Sequence, residues 1–214
     1  NSSNNDIRDN DFSWGIRIDA YEEVHARDST SQLMESGSNY NYFYRNDFTH
    51  GGDGIFIRVG NGWSCEGNVF EENDTSFANN NAVESWAGRN YFIRNKANYS
   101  SYGFWLGGTD ESDVLYNEVA YNGIKPCNAA ERGAGNGGLV FLNGTAEHIR
   151  IVGNDVHDNN GSGVAVRYDV SKTPGYVAGH ILIQNNRITG TTKGAGNGDA
   201  IYLDSVDWVD VSGN

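Results

Sequence analysis

Residues 91–106 read Tyr-Phe-Ile-Arg-Asn-Lys-Ala-Asn-Tyr-Ser-Ser-Tyr-Gly-Phe-Trp-Leu and contain every part of a unit that recurs along the chain. An apolar-alternating stretch leads to Asn95, and a polar loop then leads to Gly103. Two apolar residues, Phe104 and Leu106, follow with one residue between them. Alternation of apolar residues with period two predicts short strands that turn one face inward. None of these segments has helical spacing.

The asparagine of this unit recurs every 22 to 37 residues, at Asn10, Asn46, Asn68, Asn95, Asn117, Asn154, Asn186 and Asn214. The residues three before it are Ile7, Phe43, Cys65, Phe92, Val114, Ile151, Ile183 and Val211. The residues two after it include Phe12, Phe48, Phe70, Ala97, Val119, Val156 and Ile188. The third strand supplies the pairs Ile16/Ile18, Ile55/Ile57, Val83/Ser85, Phe104/Leu106, Leu139/Phe141, Val164/Val166 and Ile201/Leu203. These columns predict the inward faces.

Short strands repeated at this period bury their faces only when stacked, which predicts a solenoid. A β-sandwich also has alternating strands, but it would not place asparagine at the same point of every unit. We expect each asparagine at a bend, where it tolerates positive φ and its amide forms a ladder with the stacked copies. Glycines at the start of the third strand, such as Gly54 and Gly103, suit a tight corner.

Composition excludes several classes of protein. The 214 residues include 28 Gly and 28 Asn, and the 37% of hydrophobic residues excludes a disordered chain. A formal charge of −13 opposes the phosphate contacts of nucleic-acid binding. No apolar run is long enough for a transmembrane segment. Cys65 and Cys127 form neither a disulfide framework nor a zinc motif, and we expect Cys65 to be buried.

The repeat resembles the right-handed parallel β-helix superfamily, the pectate-lyase-like or carbohydrate-binding and sugar-hydrolysis repeat proteins, from Asn5 to Asn214. The resemblance implies an all-β, right-handed, single-stranded parallel β-helix of about seven to eight coils with three short strands each and an asparagine ladder at one turn. We expect one domain over residues 1–214, as a portion of a longer chain. The superfamily includes lyases, hydrolases, epimerases and non-catalytic spikes.

The outward residues of the third strand have an unusual composition. Their first column is Arg17, Phe56, Glu84, Trp105, Val140, Ala165 and Tyr202. Their second column is Asp19, Arg58, Trp86, Gly107, Leu142, Arg167 and Asp204. Aromatic rings stack on sugars, and ionic groups hold their hydroxyls. The columns predict glycan binding by Phe56, Trp86, Trp105, Arg167, Tyr202 and Asp204. The alternative is that these aromatics pack under the preceding loops.

Candidate catalytic residues lie beside this face. His50 and Asp53 come just before Arg58, and Glu84 is expected one coil away, about 5 Å from Asp53. Two carboxylates can serve as acid and base in glycosidic cleavage, although two of 28 acidic residues can also meet by chance. His157 beside Asp158 could abstract a proton, or be an ordinary polar loop residue.

A long loop offers further candidates. It contains Tyr121, Lys125 and Arg132, and a Lys or Tyr base with an Arg clamp is what the resemblance implies for a polysaccharide lyase. The superfamily's Asn-Thr-Asp, Asp-Asp, Gly-His-Gly and Asp-Pro-His signatures are missing from the sequence.

These observations predict an extracellular or cell-surface carbohydrate-active protein that binds a polysaccharide, with a lyase, hydrolase or epimerase activity. The alternative is a non-catalytic adhesin, spike or structural rod. No cofactor and no metal ligand set are predicted. The acidic residues near the chain ends are interpreted as solvated, with Ca²⁺ binding as the alternative.

Overall fold

The structure is a computed structural model that describes residues 2–13, 30–35, 37–59, 62–123, 137–142, 144–167, 177–192 and 198–214. Within these residues it has eighteen short strands, numbered β1 to β18 in chain order, and no helix. All of the strand pairs are parallel. None of the described segments is a helix that could cross a membrane.

The strands form three sheets. The first contains β1 (Asp6–Arg8), β3 (Tyr42–Tyr44), β5 (Val69–Glu71), β7 (Tyr91–Ile93), β9 (Asp113–Leu115), β12 (Arg150–Val152), β15 (Ala178–Gln184) and β18 (Val206–Ser212). The second contains β10 (Glu118–Ala120), β13 (Asp155–His157) and β16 (Arg187–Thr189). The third contains β2 (Gln32–Met34), β4 (Ile55–Ile57), β6 (Asn81–Ser85), β8 (Tyr102–Leu106), β11 (Gly137–Leu142), β14 (Val164–Arg167) and β17 (Ile201–Asp204).

Strand order within each sheet follows chain order, so each sequence unit adds one parallel strand beside that of the unit before it. Single parallel bridges join Asp11, Asp47, Asp74 and Lys96 in turn to Glu118 of β10, and thus continue the second sheet toward the N-terminal units. The predicted all-β fold with parallel sheets is confirmed, and this arrangement is consistent with a β-helix or solenoid.

An asparagine ladder runs through the units and is buried except at its two end members. The Nδ2 atom of each asparagine donates to the Oδ1 atom of the next over distances of 2.8 to 3.1 Å. The members are Asn10, Asn46, Asn73, Asn95, Asn117, Asn154, Asn186 and Asn214. Each Oδ1 atom that accepts this bond also accepts the backbone N–H of the preceding asparagine. The ladder is therefore confirmed in seven of its eight predicted members.

The assignment of Asn68 to this ladder was wrong, because Asn73 occupies that position. Asn68 belongs to a second ladder, in which Asn5, Asn41, Asn68 and Asn90 are joined by the same amide bonds. The error also shifted two inward columns by five residues. Phe70, and not Cys65, pairs with Phe43 and Phe92, and Thr75, and not Phe70, follows Phe48.

The bends have positive φ, but at the residue before the ladder asparagine and not at the asparagine itself. These residues have φ between 51° and 69°: Asp9, Arg45, Glu72, Arg94, Tyr116, Gly153, Asn185 and Gly213. Two further columns have the same conformation, six residues before and four residues after the ladder asparagine. We call them the His–Trp corner and the aromatic corner. The first comprises Asn4, Tyr40, Gly67, Arg89, Glu111, His148, His180 and Trp208. The second comprises His50, Phe77, Tyr99, Tyr121, Asp158 and Gly190.

The inward columns of the third sheet are confirmed from β4 onward, with Ile55, Val83, Phe104, Leu139, Val164 and Ile201 in one register. Before β4 the partner strand is β2, which was not predicted. Ile16 and Ile18, which were expected there, lie outside the described residues with Arg17 and Asp19. Gly54 and Gly103 have ordinary φ, and their role is close packing. A Cβ atom on Gly103 would lie 2.3 Å from Val119.

Candidate functional site

The outer face of the third sheet, defined by the register Leu33, Phe56, Glu84, Trp105, Val140, Ala165 and Tyr202, holds three of the six predicted binding residues. Its middle is buried. Trp105, Val140 and Ala165 form a second hydrophobic cluster with Tyr102 and Leu142, separate from the main core. For Trp105, this burial agrees with the alternative that the outward aromatic residues pack within the protein instead of binding glycan.

The two ends of this apolar strip remain partly open. Trp86, beside β6, and Tyr202, on β17, are half-buried and pack against the second cluster. The Trp86 ring lies over Gly107, where an added Cβ atom would come within 2.5 Å of it. β6 and β17 are separated by three intervening strands, so these two strands are about 19 Å apart along the sheet. Phe56 is largely buried and lies beneath the Arg58 guanidinium.

Glu84 is buried under Trp86 and has two hydrogen-bond donors. The Trp86 indole N–H donates to Oε1 over 2.6 Å, and the Asn81 amide donates to Oε2 over 2.7 Å. Both carboxylate oxygens are therefore engaged, which offsets the cost of removing the group from water. Glu84 fixes the orientation of Trp86 on the outer face.

Asp53 is fully buried close to Glu84. Its Oδ1 atom accepts the Asn80 amide over 3.0 Å and the Asn81 backbone N–H over 2.9 Å. Asn81 therefore contacts both carboxylates, one through its backbone and one through its side chain. The sequence pattern predicted a separation of about 5 Å between Asp53 and Glu84. The structure links the two acids indirectly, through one hydrogen bond from Asn81 to each carboxylate.

The ionic residues of the second outward column are paired. Arg58 forms an ion pair with Glu35. Arg167 lies 4.0 Å from Asp204, whose carboxylate also accepts a hydrogen bond from the Tyr202 hydroxyl over 3.4 Å. Because each of these guanidinium groups has a carboxylate beside it, this face carries little unbalanced positive charge.

The aromatic corner gathers other predicted catalytic residues. The ring of Phe77 stacks between those of His50 and Tyr99, with centroids 5.0 and 4.9 Å away, and Tyr121 stacks on Tyr99 at 4.7 Å. His157 meets Tyr121 edge-on at 5.4 Å and contacts Asp158 at 2.8 Å.

The predicted catalytic residues thus fall in three places. Asp53 and Glu84 share Asn81, Arg58 pairs with Glu35, and His50, Tyr121 and His157 belong to or border the aromatic corner. Lys125, together with Arg132 and Cys127, lies outside the described residues.

Sequence reasoning missed a different group at the His–Trp corner. Glu147, His148 and His180 place their ligand atoms within 4.8 Å of one another. The signal was available, because His148 and His180 each stand six residues before a ladder asparagine, Asn154 and Asn186. Aligning every unit on its ladder asparagine would have brought the two histidines together.

Comparison of the chain with models of known protein families, with curated proteins and with solved structures gave no match.

Proposed function

We propose that the chain is a right-handed, single-stranded parallel β-helix with three strands per coil and about seven to eight coils, similar to pectate-lyase-like proteins. Sheets whose strand order follows the chain, joined at repeated corners, support this architecture. The right hand follows from the strong preference of parallel crossover connections.

For its activity, we infer an extracellular or cell-surface carbohydrate-active protein that binds a polysaccharide along the outer face of the third sheet. The observation that carries this proposal is the strip between Trp86 and Tyr202, with a packed apolar floor and with ionic side chains in the adjacent column. Its length of about 19 Å suits several linked sugars. The aromatic corner is less suited, because its stacked rings cover one another's faces.

The balance of charge favours a neutral glycan. Arg58 and Arg167 are each compensated by a carboxylate, and the chain has a formal charge of −13. A polyuronate would therefore meet net repulsion. The proposal requires no cofactor.

The binding test uses a panel of neutral and uronate-containing oligosaccharides, with affinity measured by calorimetry. We expect binding of a neutral oligosaccharide, weakened by about tenfold in W86A and in Y202A because each removes a stacking ring. The matched control is W63A, which removes an exposed tryptophan outside this face and should bind as the parent does. Unchanged affinity in W86A and Y202A would show that the outer face of the third sheet is not the glycan-binding site.

For catalysis we propose polysaccharide processing by Asp53 and Glu84, the two acids joined through Asn81. His50, Tyr121, Lys125 and His157 stay predictions as proton-transfer residues. We expect the D53N and E84Q variants to bind glycan but to form product at least about a hundredfold more slowly than the parent.

The second candidate is a non-catalytic glycan-binding rod. It is favoured by the burial of both acids and by the hydrogen bonds that hold them, which are typical of structural carboxylates. Glycan binding by the parent without any product after prolonged incubation would select this candidate over the enzyme.

A further inference from the structure

Three residues at the His–Trp corner form a cluster of nitrogen and oxygen donors on the surface. The His180 Nδ1 atom lies 3.1 Å from the Glu147 Oε2 atom, and the His148 ring stacks on that of His180 with centroids 4.7 Å apart. Both imidazoles are exposed and Glu147 is half-exposed. The cluster lies beside β12 and β15 of the first sheet, whereas Asp53 and Glu84 lie beside β4 and in β6 of the third sheet.

The backbone places these side chains together by register. His148 and His180 occupy equivalent left-handed positions in neighbouring units, with φ of 56° and 54°, and the His148 N–H donates to the Gly179 carbonyl. Gly179 pairs with Glu147 across the sheet. A Cβ atom at Gly179 would lie 2.9 Å from the Asp207 carbonyl oxygen, so the glycine allows the strand that carries His180 to pack closely on its neighbour.

Glu147 and His180 are each held from a second side. The Glu147 backbone N–H donates to the Asp110 carboxylate over 2.9 Å, and the other oxygen of that carboxylate accepts the Thr145 hydroxyl over 2.6 Å. The Trp208 ring stacks on His180, with centroids 6.2 Å apart and planes 3° from parallel. Because these contacts already restrain the Glu147 backbone and the His180 ring, the two residues would lose less conformational freedom on binding an ion.

The spacing fits coordination of one ion. Two ligands of a tetrahedral zinc ion, each about 2.0–2.1 Å from the metal, lie about 3.3 Å from each other. Glu147 and His180 already have this separation, and His148, whose ligand atom lies within 4.8 Å, would turn out of its stack on the His180 ring to direct a ring nitrogen at the same ion. We propose that Glu147, His148 and His180 bind a late first-row divalent cation, with Zn²⁺ as the reference ion.

The donor set defines the class of cation. Two imidazoles and one carboxylate suit Zn²⁺, Cu²⁺, Ni²⁺ or Co²⁺, whereas Ca²⁺ and Mg²⁺ require mainly oxygen ligands. The nearby carboxylate that supports a cation is Asp110, which accepts the Glu147 backbone N–H. Glu111, at the corner position before His148, is compensated by Arg89 through two hydrogen bonds. The bound ion would connect β12 and β15, and its remaining coordination positions would face solvent.

The test is a calorimetric titration of the tag-free 214-residue chain with ZnCl₂ in a non-coordinating buffer. We expect one Zn²⁺ per chain, and an affinity at least about tenfold weaker in H148N, H180N and E147Q. Asparagine is chosen because it tolerates left-handed φ, so the variants keep the corner conformation. Co²⁺ should quench Trp208 fluorescence, and the quenching should disappear in W208F and in H180N.

The matched control is H157N, which removes a half-buried histidine that also contacts a carboxylate but is not a member of the three-residue cluster. It should bind Zn²⁺ as the parent does. Zn²⁺ should raise the melting temperature of the parent and of H157N but not of H148N. Unchanged affinity in H148N and H180N would overturn the proposal. So would the absence of binding at about 100 μM Zn²⁺ by a parent with native circular dichroism.

Discussion

At the scale of single residues, the buried ladder asparagines are polar groups held by several hydrogen bonds each. Asn117 is buried, and its amide donates to the Phe92 carbonyl and to Asn154, while its Oδ1 atom accepts both N–H groups offered by Asn95. All four hydrogen-bonding sites of this side chain are therefore filled. A buried amide satisfied in this way rigidifies the unit, and it is costly to replace.

We expect N117A to lower the free energy of unfolding by about 4 kcal/mol, because it leaves several buried donors and acceptors unpaired at about 1–3 kcal/mol each. N117D should cost at least as much, since a carboxylate has no donor for the Phe92 carbonyl. Urea unfolding measures both changes. N10A is the control, because Asn10 is exposed and should cost less than about 1 kcal/mol. Equal losses in N10A and N117A would contradict this account.

Cys65 is a second residue whose chemistry follows from its place. The thiol is buried and contacts the Ser38 carbonyl, and burial raises its pKa to about 11. In a C127S background we expect no reaction with a disulfide reagent at about pH 8 until the protein is unfolded, because the reactive thiolate is scarce and covered.

The same raised pKa predicts a pH dependence of stability. The folded state favours the protonated thiol, so its contribution is fully present below about pH 8.5, the unfolded value, and is lost as the pH rises toward 11. Urea midpoints of C127S and of C127S/C65A, compared across this range, check the sign. The decline attributable to Cys65 should be missing from the double variant.

At the scale of elements, the corners rather than the strands set the path of the chain. Many of the left-handed positions carry side chains other than glycine, at a conformational cost of about 1–2 kcal/mol each. Ring stacking at the aromatic corner offsets this cost, since Tyr99 contacts both Phe77 and Tyr121. The exposed rings at this corner thus have a structural reason to be there.

We expect Y99A to lose about 2 kcal/mol of stability, because two stacked pairs are removed and the left-handed conformation is kept. Y99G should lose less, because glycine adopts that conformation without strain. Y99F keeps the stack and serves as the control. Thermal and urea unfolding of the three variants should rank Y99F above Y99G and Y99G above Y99A, and a Y99A variant as stable as Y99F would refute the stacking role.

At the scale of the whole molecule, the repeat predicted the all-β class, the parallel sheets and most of the ladder. These features require asparagine and alternating apolar residues at the same positions of every unit, so they are visible in the sequence. Asn73 was missed because two ladders five residues apart give the same local pattern. The burial of Trp105 depends on what packs over the sheet, which alternation alone does not encode. Register placed Asp53 and Glu84 in neighbouring units, where both bond Asn81, whereas it did not predict their burial.

The asparagine ladder also has a direction. Every amide donates toward the C-terminal neighbour, so the amide dipoles add along the stack and polarise one another. Its hydrogen bonds keep nearly the same length whether consecutive members are 22 or 37 residues apart. Loop length is thereby decoupled from the spacing of the strands, and new loop sequence can be inserted without changing the pitch of the scaffold.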